Sequence, residues 1–484
     1  MRRAWFALVI TSCSGSIGLG QDDLALSQLR GVPQHALQLP GSRPQVGGFV
    51  GMPALSSIHF QGQNDWFHPG KWFTLENGHG VFDPEAFQSS LSSSNAIGIQ
   101  ESLELISFGF STGDRRNFWS FSAVQRMELG FALPEDLLRL PWMGNLNGEG
   151  PGGRVDLSGF NAAYQQRLEA SMFWHRQWNP RWSSGLSVKG IAGIQHVGLS
   201  DVEAIWDTDS IDYAWTFRGA GVLETSHVAS LMDDEAGENV EDIFSWKGLN
   251  PGWGIQAGVT REGEGGSSTS LHLVDVGQVF WKSGVRNWQL GPGEITFDGV
   301  QLGEILDEAD FSQDSLAAWS EAFLEEARQT GNLTENRRKF TTHLPWKFRI
   351  QHRQPLYSTE KVLGGVSVQL QVAPSSGLPG RRSFLGVAWF HERGRNAVSC
   401  AASVDQSGAF SAGAAWSLHL GPFQWYASVD NLLAARLVAF EWQSDGEESP
   451  VTLLFPYHAP YIQLHTGIQW IFGRKEQMTR SGDS

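Results

Sequence analysis

Residues 160–175 read FNAAYQQRLEASMFWH, and this stretch decides the fold. Its even positions carry Phe160, Ala162, Tyr164, Leu168, Ala170, Met172 and Trp174, interrupted by Gln166. Its odd positions are mostly polar, with Asn161, Gln165, Arg167, Glu169, Ser171 and His175. A period of two marks a strand with one apolar and one polar face. Strands of soluble sheets typically run about five or six residues. This one is longer, and reaches the roughly ten residues that a tilted strand needs to cross a hydrocarbon layer.

The pattern recurs along the chain. After Asn179-Pro180, a hairpin turn signal, Trp182, Leu186, Val188, Ala192 and Ile194 oppose Ser183, Ser187, Lys189 and Gln195. Further on, Leu344, Trp346, Phe348 and Ile350 oppose His343, Lys347, Arg349 and Gln351, and Val366, Val368, Leu370 and Val372 oppose Ser367, Gln369 and Gln371. Phe410 to Leu418, Phe423 to Val429 (after Gly421-Pro422) and Ile462 to Phe472 repeat it. Ile99–Ser111 and Asn117–Phe131 read as an early pair, with weaker strands over Trp253–Thr260, Leu271–Trp281, Arg381–Phe390 and Ala397–Val404. Single-chain bacterial barrels use even strand numbers, so about fourteen is expected, within roughly twelve to sixteen.

Composition agrees. The chain has 21 Trp and 29 Phe with only 18% charged residues, yet no run of about 18 apolar residues that could form a spanning helix. Aromatics near strand ends are what membrane interfaces favour. A soluble sandwich would alternate too, but it needs neither such long strands nor an export signal.

That signal stands at the front. Arg2 and Arg3 precede the apolar run Ala4–Ile10, and Gly18 and Gly20 are small residues before a cleavage point at Gln21. A second reading takes Ile10-Thr-Ser-Cys13 as a lipobox, with Cys13 lipidated. After cleavage at Gly20 only Cys400 remains, so no intrachain disulfide can form. It lies among Val398, Ala402 and Val404 as a small apolar side chain. A net charge of −16, without a basic face, argues against a nucleic-acid partner. The acidic run from Asp233 to Asp242 fits no EF-hand spacing and reads as a solvated loop.

The expected organisation is therefore a leader over 1–20, a plug-like N-terminal segment over 21–95, an all-β closed antiparallel transmembrane barrel over 96–475, and a polar tail over 476–484. Residues 21–95 are rich in Gly, Pro, Ser and Asn, with only a short strand near Val46–Met52. Ser312–Gly331 has helical spacing with Ser312 or Asp314 as cap, and so belongs in a loop, over the mouth or in the pore. Pro134–Leu140 reads as a shorter helix.

No G-x-S-x-G elbow, H-E-x-x-H helix, Walker A loop or C-x-x-C pair is read in the chain, and His391-Glu392 lacks a second His. No enzyme, metal site or cofactor is expected. Asp275 stands out because it shares a face with Leu271, Leu273 and Val279. A carboxylate facing lipid is costly, so either the register shifts near Gly277 or Asp275 points into the lumen. Lys189 and Arg349 are its candidate luminal partners, and a gate or ligand contact is the functional alternative to simple pairing.

Several segments resemble a Bacteroidota family of outer-membrane proteins of unknown function, related in shape to fatty-acid-transporter-type barrels. They are Pro53-Ala-Leu-Ser-Ser57, Leu186 to Gly193, Leu271 to Trp281 with Asp275 and Gly277, Phe297-Asp-Gly299, and Phe340 to Pro345. Phe340 replaces an expected Tyr, and Val276-Gly277-Gln278 is less apolar than expected. The resemblance implies an outer-membrane barrel whose lumen is partly closed by N-terminal residues, and brings no substrate, cofactor or catalytic residue. Two functions remain open: a channel or transporter for hydrophobic or poorly permeant small molecules, and a non-transporting anchor or accessory subunit of a secretion or surface-attachment machine. Outer-membrane lipid is the expected partner in both, with a hydrophobic small-molecule ligand in the first.

Overall fold

A computed structural model describes residues 23–64, 72–76, 79–143, 153–211, 214–228, 248–297, 333–359, 362–374, 383–406, 410–431, 437–442, 451–456 and 461–473. The leader with Cys13, the acidic run 233–242, residues 298–299, the helix expected over 312–331 and the tail from 476 lie outside the described residues.

The chain forms a closed barrel of 14 antiparallel wall strands. Some of these wall strands are single runs and others are built from two or three consecutive segments. They are β1 (Gly48–Gly51 and Ile58–Asn64), β2 (Ser94–Ser111), β3 (Asn117–Pro134), β4 (Gly153–Asp156 and Asn161–Gln177) and β5 (Trp182–Thr208). Next come β6 (Trp215–Ser226 and Asn250–Glu262), β7 (Ser268–Trp281 and Asn287–Phe297), and β8 (Leu333–Asn336, Phe340–His343 and Lys347–Ser358). The circuit finishes with β9 (Val362–Val372), β10 (Phe384–Arg393), β11 (Asn396–Asp405), β12 (Phe410–Leu420), β13 (Phe423–Asp430) and β14 (Tyr461–Phe472). Each strand pairs with the next, and β1 closes the wall by pairing with both β14 (Ile58↔Thr466) and β2 (Ile58↔Leu103).

One end carries short turns whose chemistry is local. The amides of Arg181 and Trp182 both donate to Asn179 Oδ1 at 2.9 Å, the Asx geometry that the Asn-Pro pair predicted. Gly394 (φ 55°) and Gly421 (φ 64°) supply the left-handed residue that a two-residue hairpin requires. Longer connections gather at the other end, including helices α1 (Pro84–Ser90) and α2 (Glu135–Met143). Asp83 caps α1 by accepting from the amides of Glu85 and Ala86. Among the described residues no helix is long and apolar enough to cross a membrane.

The alternation separates two environments. Leu186 (40% exposed), Val188 (46%), Val368 (45%), Leu385 (56%) and Trp425 (43%) face outward with many other large apolar side chains, and Cys400 is exposed as well. A surface of this kind is stable against hydrocarbon and costly against water. Inward positions carry buried Gln, Ser, His, Arg and Glu. β5 is 27 residues long, well beyond what a crossing needs. Near its far end Asp207 and Glu294 flank Arg218 at 2.5 and 2.8 Å, an exposed ion network at home in water.

Some parities differ from the sequence expectation. Val279 faces inward, fully buried, while Leu271 and Leu273 face outward, because a bulge in the β6–β7 pairing between Ile255 and Ala257 inserts one residue and flips every later position. Leu344 is buried on the inner side, released from the alternation at the break between Phe340–His343 and Lys347–Ser358. Residues 48–51 and 58–64, expected within the N-terminal segment, form the first wall strand. Trp215–Ser226 and Asn287–Phe297 were not legible, since Gly219, Gly221 and Gly291-Pro292-Gly293 break the apolar rhythm. Pro292 is accommodated where the pairing skips between Gly219 and Gly221.

Candidate functional site in the lumen

Residues 23–47 are buried against the inner wall over nearly their whole length. They contain only a short 3₁₀ turn (Leu26–Gln28) and a four-residue helix (His35–Gln38), so most of their carbonyls need partners from elsewhere. Inward side chains supply them. Arg353 donates to Gln28 O at 2.8 Å, Arg349 to Gln38 O at 2.8 Å, Ser399 to Ala25 O at 2.6 Å and Gln424 to Gly31 O at 3.0 Å. Thr260 donates to Gly41 O at 2.8 Å. Gly41 approaches so closely that a Cβ on Gly258 would lie 2.3 Å from Gly41 N, and one on Gly185 would overlap Pro40 O.

The other contact is apolar. Leu24, Leu26, Leu29 and Val32 pack on an inner stripe of β10 to β13 made by Phe384, Ala388, Ala397, Ala401, Ala415 and Tyr426. Within that stripe Gly386 leaves room for Leu24, whose Cδ2 would lie 2.4 Å from a Cβ there. His35 is fully buried; its Nδ1 lies 2.9 Å from Val32 O. Burial, with the nearby charges of Arg30 and Arg353, lowers its pKa from 6.5 to about 3 despite that carbonyl.

Across the lumen lies the charged group around Asp275. Asp275 occupies the left-handed region (φ 56°) at the β7 bulge, and this turns its carboxylate inward. Lys189 Nζ lies 2.5 Å from Asp275 Oδ1 and 3.1 Å from Glu169 Oε2. Arg167 bridges Glu169 and Glu128, both at 2.8 Å, and Arg126 reaches Glu169 at 3.2 Å. Gln256 donates to Asp275 Oδ1 at 2.8 Å. Three cations thus face three carboxylates and neutralise one another, which is what retention of buried charge requires. The structure brings Asp275 and Lys189 together as expected, but places Arg349 on the luminal segment and on Gln371 (2.6 Å).

Sequence reasoning missed Arg126, Glu128, Arg167 and Glu169 as members. The available signal was an Arg-x-Glu repeat on the polar face of two consecutive long strands. His391 and Glu392 end β10 before the Gly394 turn, with Glu392 turned inward 3.3 Å from Arg353. The string Gly109-Phe-Ser-Thr-Gly113 has G-x-S-x-G spacing but runs from β2 into a hairpin turn, and Ser111 is tied to Arg43 at 3.1 Å. Among the described residues no three His, Cys, Asp or Glu side chains are placed to hold a metal ion.

A family model described as a family of unknown function (DUF5723) matches residues 40–430. The chain belongs to DUF5723. No curated protein matches it in sequence. In structure it is similar to the toluene transporter TodX of Pseudomonas putida, with 7% identity and a TM-score of 0.38 over 91% of this chain and 93% of that one. It is likewise similar to the toluene transporter TbuX of Ralstonia pickettii (9%, 0.39, 91% and 94%). A FadL homologue of Pseudomonas aeruginosa gives 10%, 0.37, 91% and 94%. At TM-scores under 0.5 these likenesses carry no argument about activity.

In this DUF5723 chain three of the quoted segments meet on the inner wall. A Cβ on Gly193 would lie 2.7 Å from the Trp281 ring, so the glycine makes room for the indole. Trp281 stacks on His196 (5.0 Å between centroids) and Phe340 (6.1 Å), and packs with Ile191, Val279 and Leu344. The Trp281 indole donates to Thr342 Oγ1 at 2.9 Å. This apolar block and the Lys189–Asp275 pair are carried by the same strands, β5 and β7.

Proposed function

We propose that the chain is an outer-membrane barrel that admits small hydrophobic molecules, with residues 23–47 as the gate in its lumen. The observation that carries this reading is the apolar inner stripe of β10 to β13, covered by Leu24, Leu26, Leu29 and Val32. A hydrophobic solute can compete for that stripe, each buried leucine being worth about 1.5–3 kcal/mol. The surrounding hydrogen bonds from Arg349, Arg353, Gln424 and Ser399 go to carbonyls that water can satisfy once the segment moves. The leader expected from the sequence and the apolar outer belt support outer-membrane residence. By barrel convention the short turns face the periplasm and the long connections the outside.

The test is permeation. Full-length protein and a variant lacking 23–46 are compared in planar bilayers and in liposomes loaded with a small aromatic hydrocarbon. The reading expects faster flux when the segment is absent. Equal, background flux in both would overturn it. The second reading, an anchor or accessory subunit, is favoured by the burial of the segment, which fills part of the lumen. It predicts no flux from either protein and recovery of a protein partner on the barrel.

A further inference from the structure

We propose that Ser57, His465 and Asp23 form a catalytic triad inside the barrel that hydrolyses small carboxylic esters entering the lumen, an activity beyond the transport reading. The hydrogen-bond chain has the atom order that this chemistry needs. Asp23 Oδ2 lies 2.7 Å from His465 Nδ1, and His465 Nε2 lies 2.8 Å from Ser57 Oγ. The carboxylate holds hydrogen on Nδ1, leaving Nε2 as acceptor for the Ser57 proton. The imidazole is fixed from its sides by the rings of His59 (5.3 Å, edge-on) and Tyr426 (5.5 Å, edge-on). Asp23 is further held by Ser428 Oγ at 3.1 Å. His465 and Asp23 are buried, whereas Ser57 is partly exposed, so the nucleophile is the member that meets a substrate.

The backbone supplies a second, independent observation. β1 is interrupted at residues 52–57, where Ala54 adopts a left-handed conformation (φ 58°). Ser56 is fully buried there, its carbonyl accepting from Tyr426 Oη at 2.8 Å. Among the described residues no backbone carbonyl is paired with the Ser56 or the Ser57 amide. Ser56 is the buried one of the two, and a buried amide without a carbonyl partner is rare in folded proteins. Amide donors beside a nucleophile suit the negative oxygen that forms when a carbonyl is attacked.

In the first step Ser57 Oγ bonds to the acyl carbon as its proton passes to His465 Nε2. The ester C–O bond then breaks and that proton leaves with the alcohol. Water, deprotonated by His465, next attacks the acyl-Ser57 ester, and the carboxylic acid departs as the proton returns to Ser57. Ester and water become acid and alcohol, with no other reactant.

The experiment uses the full-length protein folded in detergent, a fluorophosphonate probe with mass mapping of the adduct, and turnover of p-nitrophenyl butyrate. The expected result is one adduct, on Ser57, and ester turnover. Both should vanish in Ser57→Ala and His465→Gln while the heat-modifiable band persists. Asp23 is a positioning residue: Asp23→Asn should slow labelling about a hundredfold or more and alter its pH profile, with partial rescue by Asp23→Glu. A folded wild type that takes no label and turns over no ester overturns the proposal. So does labelling that survives Ser57→Ala, or an Asp23→Asn variant with unchanged rate and pH profile. Permeation is read separately, so failure here and failure of the transport reading are distinguishable.

Discussion

Lys189 Nζ lies 2.5 Å from Asp275 Oδ1, across two strands that do not follow each other in the chain, and a β-bulge at Asp275 makes this contact possible. Without the bulge the carboxylate would share the outward face of Leu271 and Leu273. Lys189→Met should therefore leave Asp275 and Glu169 under-neutralised and cost about 3 kcal/mol, the scale for breaking a buried pair. The urea midpoint of the heat-modifiable band measures this. Lys189→Met with Asp275→Asn should recover part of the loss, because the second change removes the stranded charge. A double variant no better than the single would show that the pair is not coupled.

The strand count and the two faces were legible because a barrel wall repeats one rule, and Phe160 to His175 obeys it for most of its length. What escaped was whatever breaks the rule for a reason outside the strand. Val279 and Leu344 look outward by parity but are turned in by a bulge and by a strand break, and both meet Trp281 there. Asp275 stood out as a misfit, whereas Arg167 and Glu169 fitted their polar face so well that nothing drew attention to them. Ser57 and His465 are joined by closure of the barrel, which brings the first and last wall strands together, and Asp23 reaches them from the luminal segment.

The seating of residues 23–47 depends on the space at Gly258. A Cβ there meets Gly41 N at 2.3 Å and His272 Nδ1 at 2.6 Å, so Gly258→Val should dislodge the segment around Gly41 while leaving strand pairing in place. Limited proteolysis is expected to cut between residues 30 and 47 in the variant and not in the wild type. Protection equal to that of the wild type would mean that the approach is looser than the geometry states.

Acid should loosen the same segment. His35 is neutral when seated, with its pKa lowered to about 3 by burial, and regains an ordinary value of 6.5 when released. The released state therefore binds the proton first. Seating is at full strength above pH about 6.5 and weakens as pH falls towards 3, by up to about 1.4 kcal/mol per unit. Arg30, Arg353 and His175 face His35 and add to the cost of its charge. Proteolytic release measured against pH should show one proton fewer taken up in His35→Leu; an unchanged slope would assign the acid response to other groups.

The outer belt makes the sharpest claim about environment. Val368 is 45% exposed on the outward face of β9, flanked along the strand by Val366 and Leu370 on the same face. In a water-facing surface an arginine at so exposed a position would be nearly neutral, within about 0.5 kcal/mol. Against hydrocarbon it should cost about 2–4 kcal/mol near the midplane and fall to about 0–1 near the interfaces. Val368→Arg should thus lower the stability of the barrel in lipid vesicles far more than the same change at Phe423, which lies beside the Gly421 turn. The depth dependence is the discriminating reading, because loss of packing alone would not follow distance from the turn. Equal costs at the two positions would argue against a bilayer around this wall.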